Sequence, residues 1–369
     1  MPQHLYAETL LTPGLGNNFL WRFQNTGRYL LDILDPESPV SGAFKRAVDR
    51  FENTVFELAL DKPTLIEWAN SQDTLQDTPD RRELRLGGAH IFQQSIELLQ
   101  GMQMMTDRAE DPERLSLIHQ YIGDVMGFIG QRSGSLHFLE QAAMSYEQAL
   151  EIRSQEETPL QWARTRFNLG IVLQSMGILE DDTRLLKRAL ESIKQAVNCL
   201  PKDTVPVEWA AALSTIGTLL CQLGIHRRGA RTLEQAVVAL QNVLADRQQE
   251  NNPYTYAISQ NNLAACMQYL GIHEEDIGSL EACIPIYDTC LKTLTRESVP
   301  LIWAMVTANR ASALYALAAE SDYLDMAENA VSEFQSMLNL FEGTDYDQYK
   351  TSTQQQLDKA KTLVQRVQV

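Results

Sequence analysis

The sequence predicts an all-α chain of helical hairpins stacked in register, an α-solenoid, and three observations predict it. Proline recurs at Pro112, Pro159, Pro206, Pro253 and Pro300, each 47 residues after the last with no insertion or deletion. Two columns of the same period hold only the smallest side chains: Gly123, Gly170, Gly217, Ala264 and Ala311, and seven residues on Gly130, Gly177, Gly224, Gly271 and Ala318. All five tryptophans, Trp21, Trp68, Trp162, Trp209 and Trp303, lie multiples of 47 apart. A fixed period of this length is the signature of a repeat array, whose core grows with chain length instead of closing into separate domains.

Taken in order, residues 1–17 read as a loose lead-in, because Pro13, Gly14 and Gly16 precede the first apolar run. The GLGNN stretch there has no third glycine and follows no strand, so it does not read as a nucleotide loop. Residues 18–111 read as a helical region of two degenerate repeats. Trp21 and Trp68 are in register, and Phe92, Ser95, Ile96, Leu99 and Met102 match the second-helix columns.

Residues 112–346 read as five regular units. Each opens with proline in the first helical turn, where the missing N–H costs nothing, behind capping candidates Asp111, Thr158 and Asn252. Thr158 with Gln161 has capping-box spacing. A first helix of about 17 residues then reaches the second glycine column, within the ordinary range of helix lengths. After a polar turn the second helix aligns Ala142, Ala189, Ala236, Cys283 and Ala330, and four residues later Tyr146, Ile193, Leu240, Tyr287 and Phe334. Small against large at one helical turn is how packed helices interlock. Residues 347–369 read as a polar capping helix that closes the apolar end.

The formal charge of −17, from 48 acidic and 31 basic residues, disfavours nucleic acid or an anionic membrane as partner and leaves a neutral or basic protein. Five cysteines show no CxxC pair and no zinc spacing, and Cys283 and Cys290 occupy small-residue columns. That pattern fits a reducing cytoplasm. The N-terminus carries neither a basic start nor an apolar core, and no apolar run is long enough to span a membrane. The six histidines form no HExxH, and no GxSxG or P-loop is present, so the reading is not an enzyme and implies no cofactor or metal.

Leu169-Gly170 with Leu173, Ile216-Gly217 with Leu220, and Ala330 with Phe334 resemble the tetratricopeptide repeat (TPR) family. The resemblance covers 112–340 and, in part, 18–111. It departs in repeat length, 47 residues instead of 34, and in placing tryptophan seven residues before the Leu-Gly pair, so the long-repeat, kinesin-light-chain type is nearer. The resemblance implies a right-handed superhelix of TPR-like hairpins with first helices lining a concave groove. By the family's register, groove positions are Tyr121, Asn168, Thr215, Asn262 and Asn309, supported by Arg164, Asn261, Ser312, Gln174, Gln268, Tyr269 and Tyr315.

Asparagine is a mediocre residue for a helix interior, so three in one column need a reason. One is that the carboxamides pair with the backbone of an extended peptide; the other is that they bond neighbouring helices. The residues leave both open. Two hydrogen bonds from each of three asparagines give about 6 kcal/mol, which association costs of about 4–15 kcal/mol consume, so aromatic anchors such as Tyr121, Phe128, Tyr269 and Tyr315 are needed. A basic clamp for an acidic carboxyl terminus would need more cations than Arg164. The HRRGAR turn at 226–231 is the one basic cluster and reads as a solvated turn or a dock for an acidic partner or a second copy. The leading expectation is a protein-interaction scaffold holding a peptide or protein segment in the groove. The alternative is a peptide-sensing regulator whose N-terminal region acts on a target, and a homo-oligomer is compatible with either.

Overall fold

The computed structural model describes residue 96 and residues 99–133, 135–227, 229–246, 253–297, 300–321, 323–341 and 347–367. The lead-in, Trp21, Trp68, Asn252 and the side chain of Phe128 lie outside them, as does most of the region assigned to the two degenerate repeats. Leu99 and Met102, in the second-helix columns, are buried.

Five hairpins follow in order: α1 (Pro112–Ser133) with α2 (Leu136–Leu150), α3 (Pro159–Leu179) with α4 (Thr183–Cys199), α5 (Pro206–Arg227) with α6 (Ala230–Asp246), α7 (Pro253–Glu274) with α8 (Ile277–Thr293), and α9 (Pro300–Ser321) with α10 (Leu324–Phe341). A last helix, α11, covers Asp347–Val367. Every element among the described residues is helical, and every first helix begins at its repeat proline.

The described residues fall into two compact units, one ending at Ala212 and the other beginning at Leu213, a division that lies inside α5. In the first, α1 packs on α2, α3 on α4 and α2 on α3, and α1 lies beside α3. In the second, α6 packs on α7, α7 on α8, α8 on α9, α9 on α10 and α10 on α11. There α7 also lies beside α9, and α9 beside α11.

First helices are therefore enclosed on several sides and carry apolar residues nearly all round: α3 buries Trp162, Ala163, Phe167, Leu169, Val172 and Leu173. Second helices bury a single stripe, as α4 does with Leu186, Ala189, Ile193 and Ala196 at three- and four-residue spacing. The two glycine columns mark where the helices of a hairpin touch. A Cβ on Gly217 would stand 2.6 Å from Leu240 Cγ, and one on Gly177 would stand 3.1 Å from the Leu186 backbone nitrogen. The large second-helix column thus seats on the first glycine column, and the second column lets the backbones approach.

First helices run 21 or 22 residues, longer than the glycine columns predict, because the chain continues helical past the second glycine before turning. The turn that stops α3 is a Schellman motif: Asp181 takes φ 53°, and the Asp182 N–H bonds the Gly177 carbonyl at 2.9 Å. The turn after α7 repeats it with Glu275 at φ 54° and Asp276 N–H to the Gly271 carbonyl at 2.9 Å. Each aspartate then caps the next helix, Asp182 accepting from the Arg184 N–H and Asp276 from the Gly278 N–H. Hydrogen bonds to Arg184 and Ser279 respectively hold these carboxyls below the usual aspartate range.

Asp111 caps α1 through the Arg114 N–H at 3.0 Å. Thr158 does not form its expected capping box: its hydroxyl turns back and donates to the Ser154 carbonyl at 3.2 Å. The tryptophan column is covered by cations, Arg166 over Trp162 at 5.2 Å, Lys202 over Trp209 at 4.7 Å and Arg296 over Trp303 at 5.7 Å. Lys202 and Arg296 both come from the loop seven residues ahead of their ring. The sequence reading overlooked Pro285 inside α8, which removes one backbone donor from that helix on its exposed side. α11 buries Leu357, Ala360 and Leu363 and exposes Gln354, Gln355, Asp358, Lys361 and Thr362, a polar outer face.

Candidate functional site

Side chains that meet between successive first helices are 44 to 48 positions apart, about one repeat. In the first unit Gln131 Nε2 donates to Ser175 Oγ at 3.0 Å. Arg164 grips Glu208 with two bonds, Nε to Oε2 at 2.9 Å and Nη2 to Oε1 at 2.8 Å. These pairs are what the 47-residue register requires of neighbours, and they involve polar side chains outside the proline, glycine and tryptophan columns.

The asparagine column faces into this packing. Asn168 is 4% exposed and its Nδ2 donates to Asp124 Oδ1 at 2.9 Å; Tyr146 Oη donates to the same oxygen at 2.6 Å. In the second unit Asn309, fully buried, donates through Nδ2 to Asn261 Oδ1 at 3.0 Å, and Asn261 donates to Asn262 Oδ1 at 3.3 Å. Gln268 extends the cluster: its Nε2 donates to Tyr287 Oη at 2.8 Å and to the Asn309 carbonyl at 3.2 Å, while its Oε1 accepts from the Ala313 N–H at 3.2 Å. That carboxamide lies along one rung of α9, between the carbonyl and the N–H that a helix normally joins.

Of the twelve groove positions read from the sequence, Tyr121, Asn168, Gln174, Asn261, Asn262, Gln268, Tyr269, Asn309 and Ser312 are buried. Arg164, Thr215 and Tyr315 are half-buried. The structure brings Asn261, Asn262, Gln268 and Asn309 together, and Asn168 with Asp124.

Two clusters went unnoticed in the sequence. Arg153, 6% exposed, donates from Nε to Ser116 Oγ at 3.1 Å and from Nη1 to Thr165 Oγ1 at 2.6 Å and to Gln120 Oε1. Arg310 bonds Asp288 on α8 at 2.6 Å and Glu333 on α10. Arg310 had a signal, because it shares a column with Leu169, Ile216 and Leu263; Arg153 had a weaker one, because its column holds Arg247 beside the buried Leu200 and Leu294. A cation in an apolar column needs acceptors brought by the fold.

The four cysteines of the second unit are fully buried, and burial pushes the Cys283 and Cys290 thiols up to about 12. Their hydrogens go to helix carbonyls, Leu280 at 3.0 Å and Ala257 at 3.2 Å. They behave as small apolar residues. Among the described residues no set of three histidine, cysteine or acidic side chains is gathered as a metal site would need, and no helix is long and apolar enough to cross a membrane.

What stays open on the first helices is a set of half-buried rows. On α3 these are Arg164, Ile171 and Ser175, ending at Ile178, which is 48% exposed. In the second unit Gln222 and Ile225 of α5, Ile258 and Ile272 of α7, and Met305 and Tyr315 of α9 are half-buried. Ile178, Ile225 and Ile272 form one column of the repeat.

No family model matches the chain, and no curated protein matches it. Thirty-two solved chains do match. One is a circular tandem repeat protein with novel repeat topology and enhanced subunit contact surfaces, aligned at 13% identity over 96% of this chain and 98% of that one, with a TM-score of 0.29.

Proposed function

We propose that this chain is a protein-interaction scaffold that holds a peptide or protein segment against its first helices. The supporting observation is that first helices of consecutive repeats lie directly side by side, α1 with α3 and α7 with α9, which lines up half-buried side chains one repeat apart. Rows of this kind suit a ligand that is itself extended or helical and repeats its contacts along its length. Direct contact in this reading belongs to Arg164, Thr215 and Tyr315 and to the isoleucine column. The buried members, Tyr121, Asn168, Gln174, Asn261, Asn262, Gln268, Tyr269, Asn309 and Ser312, act from beneath by fixing the spacing of the helices. A neutral or basic partner met in the cytoplasm completes the proposal, with the TPR-like groove as its geometry.

The test is selection of peptides from a displayed random library on the immobilised full chain, followed by calorimetry of an enriched peptide. The expected result is binding that weakens by about tenfold or more, about 1.4 kcal/mol, when Ile225 and Ile272 are both changed to aspartate. Failure to enrich any peptide, or binding indifferent to these substitutions and to Arg164→Glu, overturns the proposal.

A further inference from the structure

α4 buries Leu186, Ala189, Ile193 and Ala196 on one stripe and turns Arg184, Lys187, Arg188, Glu191 and Lys194 to solvent on the other. The other second helices are acidic or neutral where its two lysines stand. The column through Lys187 reads Glu140, Lys187, Glu234, Glu281 and Glu328, every member exposed, and the column through Lys194 reads Glu147, Lys194, Gln241, Asp288 and Gln335. Four hairpins form with glutamate at the first of these positions, so packing within the hairpin gives no reason for the lysine.

Two of the cations are already held by this chain. Arg184 Nη2 meets Asp182 at 2.8 Å and Arg188 Nη2 meets Glu147 at 3.4 Å, and their side chains are still 86% and 59% exposed. Lys187 and Lys194 have no hydrogen bond or ion pair among the described residues. They stand two turns apart on the same side of the helix, about 10 Å along its axis. Glu191 lies between them, its Oε1 accepting from Gln195 Nε2 at 3.0 Å. Along the row the charges therefore run through three cations, one anion and a last cation.

We propose that the outer face of α4 docks an acidic helical segment of a partner protein, with carboxylates against Arg184, Lys187, Arg188 and Lys194 and one cation against Glu191. Charge complementarity chooses this occupant. A nucleic-acid strand or an anionic membrane presents unbroken negative charge, which Glu191 opposes within the row and the net −17 opposes beyond it. A helix can match both signs, because side chains three, four and seven residues apart share one of its faces. Physiological salt screens exposed charges beyond about 8 Å, so a short acidic segment feels the row more than the rest of the chain. Contacts between exposed charges are individually weak, which makes the complex salt-sensitive. This surface lies on a second helix and is independent of the rows on the first helices.

The experiment measures binding of two blocked, fluorescein-labelled, alanine-rich helical peptides to the full chain at low salt by fluorescence anisotropy. Each carries four glutamates and one lysine along one face, the lysine set to meet Glu191 with the peptide parallel to α4 in one and antiparallel in the other. At least one should bind, with an affinity that falls as salt is added. Lys187→Glu/Lys194→Glu, which gives α4 the residues of α2 at both positions, should weaken that binding by about tenfold. Lys292→Glu/Lys361→Glu, an equal charge change at two exposed lysines elsewhere, should weaken it by no more than about twofold. Changing the peptide's lysine to glutamate should weaken binding to the natural chain and strengthen binding to Glu191→Lys. Equal losses in the two double variants overturn the proposal, as does tighter binding of the all-glutamate peptide or of heparin to the natural chain. No binding by either peptide overturns it too, including the case of a chain that covers this face with a second copy of itself.

Discussion

Arg310 stands where the earlier repeats keep leucine or isoleucine and Arg153 in a column it shares with Leu200, Arg247 and Leu294, and the two regions accommodate the guanidinium in opposite ways. Arg153 donates to neutral acceptors, the Ser116 and Thr165 hydroxyls and the Gln120 amide, and is 6% exposed. Around Arg310 two carboxylates converge, Asp288 and Glu333, at a guanidinium 25% exposed. The equivalents of Asp288 and Glu333 one repeat earlier are Gln241 and Ile286, and Leu263 fills the arginine position there. The comparison teaches that a repeat tolerates a charge in its core only where neighbouring columns change with it. The change can be made with dipoles or with counter-charges.

The two solutions should fail differently when the arginine is returned to leucine. Arg310→Leu leaves Glu333, whose side chain is 17% exposed, without its cation, and breaking such a pair costs about 3–5 kcal/mol. Arg310→Leu combined with Glu333→Ala restores the pattern of the other repeats and should recover most of that loss. Arg153→Leu strands the neutral Ser116, Gln120 and Thr165 groups, and two of these already have helix carbonyls, Ser116 with Glu113 and Thr165 with Gln161. Its cost should be about 1–3 kcal/mol. Chemical denaturation of the three variants decides: equal losses, or no recovery in the double variant, would show that counter-charge is not what holds Arg310.

The asparagine column sharpens the same contrast at smaller size. Asn168 donates to a carboxylate, whereas Asn309 donates to another amide. Replacing either by alanine should cost about 1–3 kcal/mol, with Asn168→Ala the larger because it removes a donor from a buried anion. Thermal melts check this directly. A groove residue free of the core would instead leave the melting temperature unchanged or slightly raised, because alanine is the better helix former.

How much of this was legible follows from what repeats. The hairpins were legible because Pro159, Gly170, Gly177 and their equivalents impose a starting point, a close approach and a turn at fixed intervals. The second-helix seat was legible too, as Tyr146 and Leu240 over their glycines show. The inward direction of Asn168 and Asn309 was not, because a carboxamide serves a peptide backbone and a neighbouring helix equally well and only the packing chooses. Asp124 was missed for a related reason: it differs from its own column, Ile171, Thr218, Ala265 and Ser312, and a search for agreement between repeats passes over the exceptions. Pro285 escaped because it lies on the exposed side of α8, where no column constrains it.

The smallest expected effect separates the two units by pH. His119 on α1 is 6% exposed, and its Nδ1 is buried without a partner among the described residues. Burial, and next the nearby Arg108 charge, hold its pKa below the ordinary 6.5, with Glu151 opposing. The unfolded chain then binds a proton at a pH where the folded chain does not, so stability rises with pH across that window. The contribution is fully present above about 6.5 and is lost as pH falls from there toward the lowered folded value. Hydrogen exchange at pH 7.5 and at pH 5.5 should therefore show α1 and α2 losing protection relative to α7 and α9 at the lower pH, after correction for intrinsic exchange rates. His119→Gln, which cannot take up the proton, should remove the difference. If the variant keeps the same pH response, His119 is not its source.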